Sequence, residues 1–161
     1  MSICLNMVIH GDTSGLHRTL ESARPYIHQY VLVDTTGHPG VGDDLLDALE
    51  GLPGTLMARP WLNPTHNRTE ALYEAIRRTN REDHILFLNP GEELIGTGKP
   101  FGLLPEEAYV FKVKTGLRLH YRVSMVKSLP TWRWIEDKLD LGYEPTRAIF
   151  RDAFIVATPQ S

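Results

Sequence analysis

HILFLNPGEEL, residues 84–94, is the stretch whose reading decides the fold. Ile85, Leu86, Phe87 and Leu88 form a short continuous apolar run, and Asn89-Pro90-Gly91 breaks it. Such a run, bounded by turn residues, predicts a strand buried on both faces, as in a parallel sheet. Pro90 has no N–H to give a ladder and Gly91 tolerates positive φ, so the strand ends there. In an open α/β sheet, ligands sit beyond the carboxyl ends of the strands. Asn89, Glu92 and Glu93 fall at that place. The plainer alternative is a polar turn that closes a strand.

Upstream, the same grammar repeats. ICLNMVI (3–9) reads as a first strand ending in His10-Gly11-Asp12. Residues 13–24 read as a helix with Leu16, Leu20 and Ala23 on one face, capped by Thr13 or Ser14 and stopped by Pro25. YVLVD (30–34) is a second strand, broken by the turn-rich TTGHPG (35–40). DDLLDALE (43–50) is a short helix whose acidic first turn suits the dipole, and TLMA (55–58) is a third strand. Asn63-Pro64 is an N-cap and N1 pair for a helix running to about Thr79. That helix turns Ala71, Leu72, Ala75 and Ile76 inward and places Arg77 and Arg78 at the negative end of its dipole. Strand and helix alternate as far as Leu88, which predicts right-handed crossovers and a mainly parallel sheet.

Downstream the period changes. Residues 109–114 and 117–123 alternate around Thr115-Gly116, which predicts a hairpin with one wetted face. No acidic residue lies between Ala108 and Ile135, yet Lys112, Lys114, Arg118, Arg122, Lys127 and Arg133 do. Tyr109, Phe111, Tyr121, Trp132 and Trp134 are interleaved with them. Such a surface suits a phosphate or a sugar ring; a merely basic polar face is the alternative. Residues 154–161 read as a fraying tail.

Composition narrows the class. A chain of 161 residues suggests one domain. A net charge of −3 gives it no general attraction to nucleic acid or anionic lipid. Cys4, the single cysteine, sits in an apolar run, so no disulfide forms within the chain; this fits a cytoplasmic location. Residues 1–12 lack the basic start of a signal peptide, and no apolar run approaches the ~18 residues of a membrane span. The seven histidines lack zinc-ligand spacing.

Four segments, SICLNMVIHGD (2–12), YVLVDTTGHPG (30–40), RPWLNPTHNRTEAL (59–72) and HILFLNPGEEL (84–94), occur in a familiar order. Over residues 2–95 the chain resembles the amino-terminal half of family 2 glycosyltransferases of the GT-A fold. The resemblance implies a single GT-A-like domain over 1–161: a Rossmann-like, mainly parallel sheet flanked by helices, with a small antiparallel extension in the carboxyl-terminal half. Residues 1–95 would be the nucleotide-sugar half and 96–161 a reduced acceptor half. That half is then minimal, completed by a partner chain, or continued in a larger protein.

The resemblance also implies roles. Asp34 matches the aspartate that contacts the nucleotide part of the donor, and His10 and Asp12 fall in the loop that lines its pocket. Arg68, beside Asn67, falls near the family's Arg-Asn pair in reversed order and would neutralise a diphosphate. The family's Asp-x-Asp is altered: Asn89 and Gly91 stand at its two aspartate positions. Either Asn89 and Glu92 hold Mn²⁺ or Mg²⁺, and hold it weakly, or the metal is absent and cations such as Arg68 take its place. In WRWIEDKLDL (132–141), Asp137 would be the general base, with Glu136 as second candidate, and Trp132 and Trp134 would stack on a sugar. The implied activity is inverting transfer of a sugar from a nucleoside-diphosphate sugar to a glycan or other hydroxyl acceptor. The alternative is a non-catalytic member of the fold that binds a nucleotide sugar or glycan, or serves as an assembly subunit. A nucleotidyltransferase is disfavoured, because HGDTSG (10–15) has no cation.

Overall fold

The computed structural model describes residues 1–158. Its first half alternates β1 (Ile3–Ile9), α1 (Leu16–Ala23), β2 (Gln29–Asp34), α2 (Gly40–Ala48), β3 (Gly54–Ala58), α3 (Pro64–Arg78) and β4 (His84–Phe87). The strands lie side by side in the order β3-β2-β1-β4, all parallel. Leu16, Leu20 and Ala23 of α1 join Val41, Leu45 and Ala48 of α2 in one apolar cluster against the sheet. Leu72 and Ala75 of α3 belong to a second cluster with Cys4, Val31 and Ile85. Helices therefore cover both faces, which is why β1 and β4 are buried without alternation. Ile9 pairs with Asp34 and Asp34 with Ala58, so three strands stop at one level and their loops leave from a common edge.

Local signals act as expected at α3. Asn63 accepts a hydrogen bond from the His66 N–H at 2.8 Å, and Pro64 opens the helix. At α1 they do not: Gly15 is the cap residue, without a side-chain cap bond. Asp12 instead accepts from the N–H and hydroxyl of Ser14 at 2.9 and 3.0 Å. Pro25 lies within a single 3-10 turn, Arg24–Tyr26, that prolongs the helix.

The second half is part of the same sheet. β5 (Glu92–Gly96), β6 (Ala108–Thr115), β7 (Arg118–Lys127), β10 (Arg147–Ile149) and β11 (Ala153–Ala157) continue it beyond β4 in the order β7-β6-β11-β5, with β10 on β6. Among the described residues this makes one curled sheet of nine strands with parallel and antiparallel pairs. The β6–β7 hairpin is present, yet it is no small extension: β7 pairs antiparallel with β4 and carries the sheet onward. The Glu92-Glu93-Leu94 turn tail is in fact strand β5. Gly91, at φ 92°, reverses the chain, and hydroxyls of α1 and its extension then hold the backbone. Thr19 accepts from the Gly91 N–H at 2.8 Å, Ser22 from Leu94 at 2.9 Å and Tyr26 from Gly98 at 2.8 Å. The expected fraying tail is also corrected over 153–157. There β11 sits between β6 and β5 with Ala153 and Ile155 buried, while 159–161 fall outside the described residues.

β8 (Arg133–Ile135) and β9 (Lys138–Asp140) form a separate two-stranded hairpin. Its turn is Glu136-Asp137, with Glu136 in the left-handed region at φ 55°. Trp132 pins the base of the hairpin: it is 2% exposed and clusters with Leu72, Phe87 and Leu141. No helix among the described residues is long and apolar enough to cross a membrane.

Candidate functional site

A cleft of about 880 Å³ opens beyond the end of β4, with the β8–β9 hairpin contributing one wall. Asn6 of β1, Arg68 of α3, Asn89 after β4, Arg122 of β7, and Trp134 and Asp137 of the hairpin all line it. They come from five separate stretches of chain, which the crossovers, the β4–β7 pairing and the hairpin bring together.

Arg68 lies in the second turn of α3, so the Asn63-Pro64 start fixes where it emerges. Asn67 fixes the loop before it. That buried amide accepts from the Leu62 N–H at 3.0 Å and donates to the Pro60 carbonyl at 3.1 Å and to Glu70 at 3.0 Å. The Arg68 guanidinium rests on the Trp134 ring, 5.1 Å from its centroid. It makes no hydrogen bond to a side chain or carbonyl among the described residues, although it is half-buried. Burial draws its pKa below the ordinary arginine value; Asp137 and Glu92 pull it back up, and Arg122 adds to the lowering.

Glu92 is engaged elsewhere than expected. Arg122 Nη1 donates to its Oε2 and Nη2 to its Oε1, each at 2.6 Å, and the Asn89 N–H donates to Oε1 at 2.8 Å. Arg122 Nε also donates to the Ser124 hydroxyl at 2.7 Å. Both oxygens of a carboxylate 6% exposed are thus taken. Hard divalent cations need several oxygen ligands. As arranged, Asn89 and Glu92 do not fit one: a cation would have to displace Arg122 and then lie beside it. Among the described residues no group of three or more His, Cys, Asp or Glu side chains converges as a metal site.

The other expected residues form a second group at the shared edge of β1, β2 and β3. His10 stacks on Trp61 with centroids 3.5 Å apart and planes 12° from parallel, and its Nδ1 lies 3.1 Å from the Thr35 hydroxyl. Asp34 Oδ1 accepts from the N–H and hydroxyl of Thr36 at 2.8 and 2.7 Å. Asp12 holds Ser14, and those bonds keep its carboxyl below the ordinary aspartate range.

Of the residues the sequence singled out, Arg68, Asn89, Trp134 and Asp137 line the cleft; Trp132 borders it as well, but at 2% exposure its ring is packed in the core and leaves no face for the sugar it was expected to stack on. His10, Asp12 and Asp34 lie outside its lining, and Glu136 stands beside Asp137 at the hairpin tip. Two residues escaped sequence reasoning. Trp61 appeared only as part of a loop, and Arg122 only as one cation in a basic span. A pairing between Arg122 and a carboxylate 30 residues away leaves no local spacing to read.

No family profile and no curated protein matches the chain. Among solved structures, HddC from Yersinia pseudotuberculosis is similar, with a TM-score of 0.55 at 11% identity over 98% of this chain and 93% of that one. Likeness at so low an identity speaks for the fold alone: a mixed α/β architecture shared over nearly the whole of both chains.

Proposed function

We propose that this chain is a GT-A-type glycosyltransferase that takes a sugar from a nucleoside-diphosphate donor and passes it, with inversion, to a hydroxyl acceptor. One observation carries the reading: Arg68 is a half-buried guanidinium in an 880 Å³ cleft, braced by Trp134 and hydrogen-bonded to no described residue. A charged group drawn from water without a partner is costly, and an anionic ligand supplies one. The planar fork of arginine suits phosphate oxygens.

The donor would lie along the carboxyl edge of the sheet. Its nucleoside would meet the His10–Trp61 stack and Asp34, and its diphosphate would reach Arg68. β2 and β4 flank β1, so these ends are two strand spacings apart, about 10 Å, a span a nucleotide sugar covers. Asp137, at the tip of the hairpin that lines the same cleft, would act as general base. The acceptor oxygen forms its bond to the anomeric carbon as the bond from that carbon to the diphosphate oxygen breaks. The bonding pair leaves with the diphosphate, and the acceptor proton passes to the Asp137 carboxylate.

A second reading, a non-catalytic binder of nucleotide sugars or glycans, is favoured by the engagement of Glu92 with Arg122. Incubation with a panel of nucleoside-diphosphate sugars, followed by assay of released nucleoside diphosphate, separates the two. Release that Arg68→Ala and Asp137→Asn each cut by at least about tenfold supports a transferase. Thermal stabilisation without release supports the binder, and neither response defeats both.

A further inference from the structure

We propose that Arg122, clamped by Glu92 and Ser124, forms with Arg68 a receptor for a diphosphate that works without a divalent cation. The proposal rests on the reading that the cleft takes a nucleoside diphosphate, and it assigns a role to a residue and an ion pair that this reading leaves idle.

A guanidinium carries five N–H groups. Three on Arg122 are used: Nε–H on Ser124, and one each from Nη1 and Nη2 on the two oxygens of Glu92. The clamp fixes the plane of the group and leaves one N–H on each terminal nitrogen without a partner among the described residues. The Arg122 side chain is 28% exposed and lines the cleft, whereas Glu92 beneath it is almost covered. The guanidinium side chain is thus reachable from the cleft, and the carboxylate is not.

The energetics argue for a purpose. Drawing an ion pair out of water costs much of what the pairing returns, and apolar residues of similar volume often stabilise a core at least as well. The Glu92–Arg122 pair is therefore a poor device for stability alone and a good one for holding a cation in a fixed pose. Arg68 feels the charge of Arg122 as a repulsion. Two guanidiniums that repel each other across a cleft, each with unused donors, are brought to rest by one dianionic group. Arg68 offers paired N–H donors from its planar fork and Arg122 a single N–H from each terminal nitrogen, so the several oxygens of a diphosphate can engage both residues. A hard metal gains nothing at this place, because the one buried carboxylate is already capped.

The test is calorimetric titration of the full chain with UDP, GDP, dTDP and ADP, once in EDTA and once in Mn²⁺. Binding in EDTA within about threefold of that in Mn²⁺ is the expected result. Binding that appears only with Mn²⁺ overturns the proposal and leaves the donor reading intact. If no nucleotide binds under either condition, the donor reading itself fails and takes the proposal with it. Arg122→Lys keeps a cation over Glu92, which protects the fold, but loses the fixed plane and its two spare N–H donors; in EDTA it should bind at least about tenfold more weakly. Unchanged affinity in that variant, with a wild-type melting profile, removes Arg122 from the site. Arg122→Ala uncovers Glu92 beside Asn89, and the expected result is weak binding in EDTA that Mn²⁺ improves. Affinity equal to wild type in EDTA counts against the proposal; should this variant not fold, the lysine variant decides.

Discussion

Gly15 and Gly91 meet backbone to backbone: a Cβ built on Gly15 would lie 2.9 Å from the Gly91 Cα and 3.4 Å from its nitrogen. This contact seats the start of α1 on the turn that ends the β4 run, and the Thr19 hydroxyl holds the same turn through the Gly91 N–H. The obstructing atoms are backbone, so no side chain can swing aside. Gly15→Ala should therefore destabilise the protein by about 1–3 kcal/mol, measured by urea unfolding. It should also shift the Asn89 turn, weakening any ligand held in the cleft. A variant within about 0.5 kcal/mol of wild type would show that α1 moves away at little cost.

The parts of the fold that were legible share a physical property. β1, β2 and β4 are covered by helices on both faces, so each writes a continuous apolar run that needs no partner to be recognised. Asn63-Pro64 was legible because capping is a contact over three residues. β5 and β11 were not. EELIG and AFIVA are short and close to polar turns, and each becomes a strand only by pairing with the other across some sixty residues of chain. The same holds for the site. Arg68 and Asp137 could be nominated from type and place, but their common cleft depends on a hairpin that Trp132 anchors in the core. Asn67 and Arg68 divide the labour along one helix turn, with Asn67 buried to build the loop and Arg68 turned to the cleft.

Replacing Asn67 by alanine tests that division. The change strands the Leu62 N–H and the Pro60 carbonyl, both of which the Asn67 amide now satisfies. An unsatisfied buried group costs about 1–3 kcal/mol, but Pro60 and Leu62 are exposed and water can reach both groups, so a total loss of about 1–2 kcal/mol is expected. The Trp61 loop should loosen as well. Loss of nucleotide affinity in a variant that still melts cooperatively would trace the path from loop order to the site. An Asn67→Ala protein as stable as wild type would mean that water replaces all three bonds.

The junction of α1 and α2 should respond to pH. His17 Nε2 lies 2.6 Å from Asp47 Oδ2 and its Nδ1 3.3 Å from Glu21, and the hydrogen bond to Asp47 chiefly raises its pKa above the ordinary 6.5. A raised folded-state pKa means that the protonated form is favoured by folding. Its contribution is complete below the unfolded-state value and is lost as pH rises through the higher folded-state value. The difference in Tm between wild type and His17→Gln should therefore be largest near pH 5 to 6 and shrink toward pH 8 to 9. Added salt should reduce it, because the pair is exposed. A difference that grows with pH would show that His17 acts by packing instead.

Cys4 offers a reporter of opening. Burial, assisted by the charge of Asp83, pushes its thiol up to about 12 against a hydrogen bond from the backbone at Val31. The residue is fully covered in β1, between β2 and β4. Only a thiolate within reach attacks a disulfide reagent. At pH 8 roughly one Cys4 in ten thousand would be ionised in the folded protein, and that one would be sheltered. Labelling of the native chain should thus wait for unfolding, with one thiol modified per chain in denaturant. A ligand that binds only the folded state lowers the open population by the factor 1 + [L]/Kd. Under conditions where opening and closing outpace labelling, a saturating nucleoside diphosphate should slow modification by that factor, even though Cys4 is outside the cleft lining. Rapid labelling without denaturant would mean that β1 opens locally, and the central strand would then not be the stable heart of the sheet.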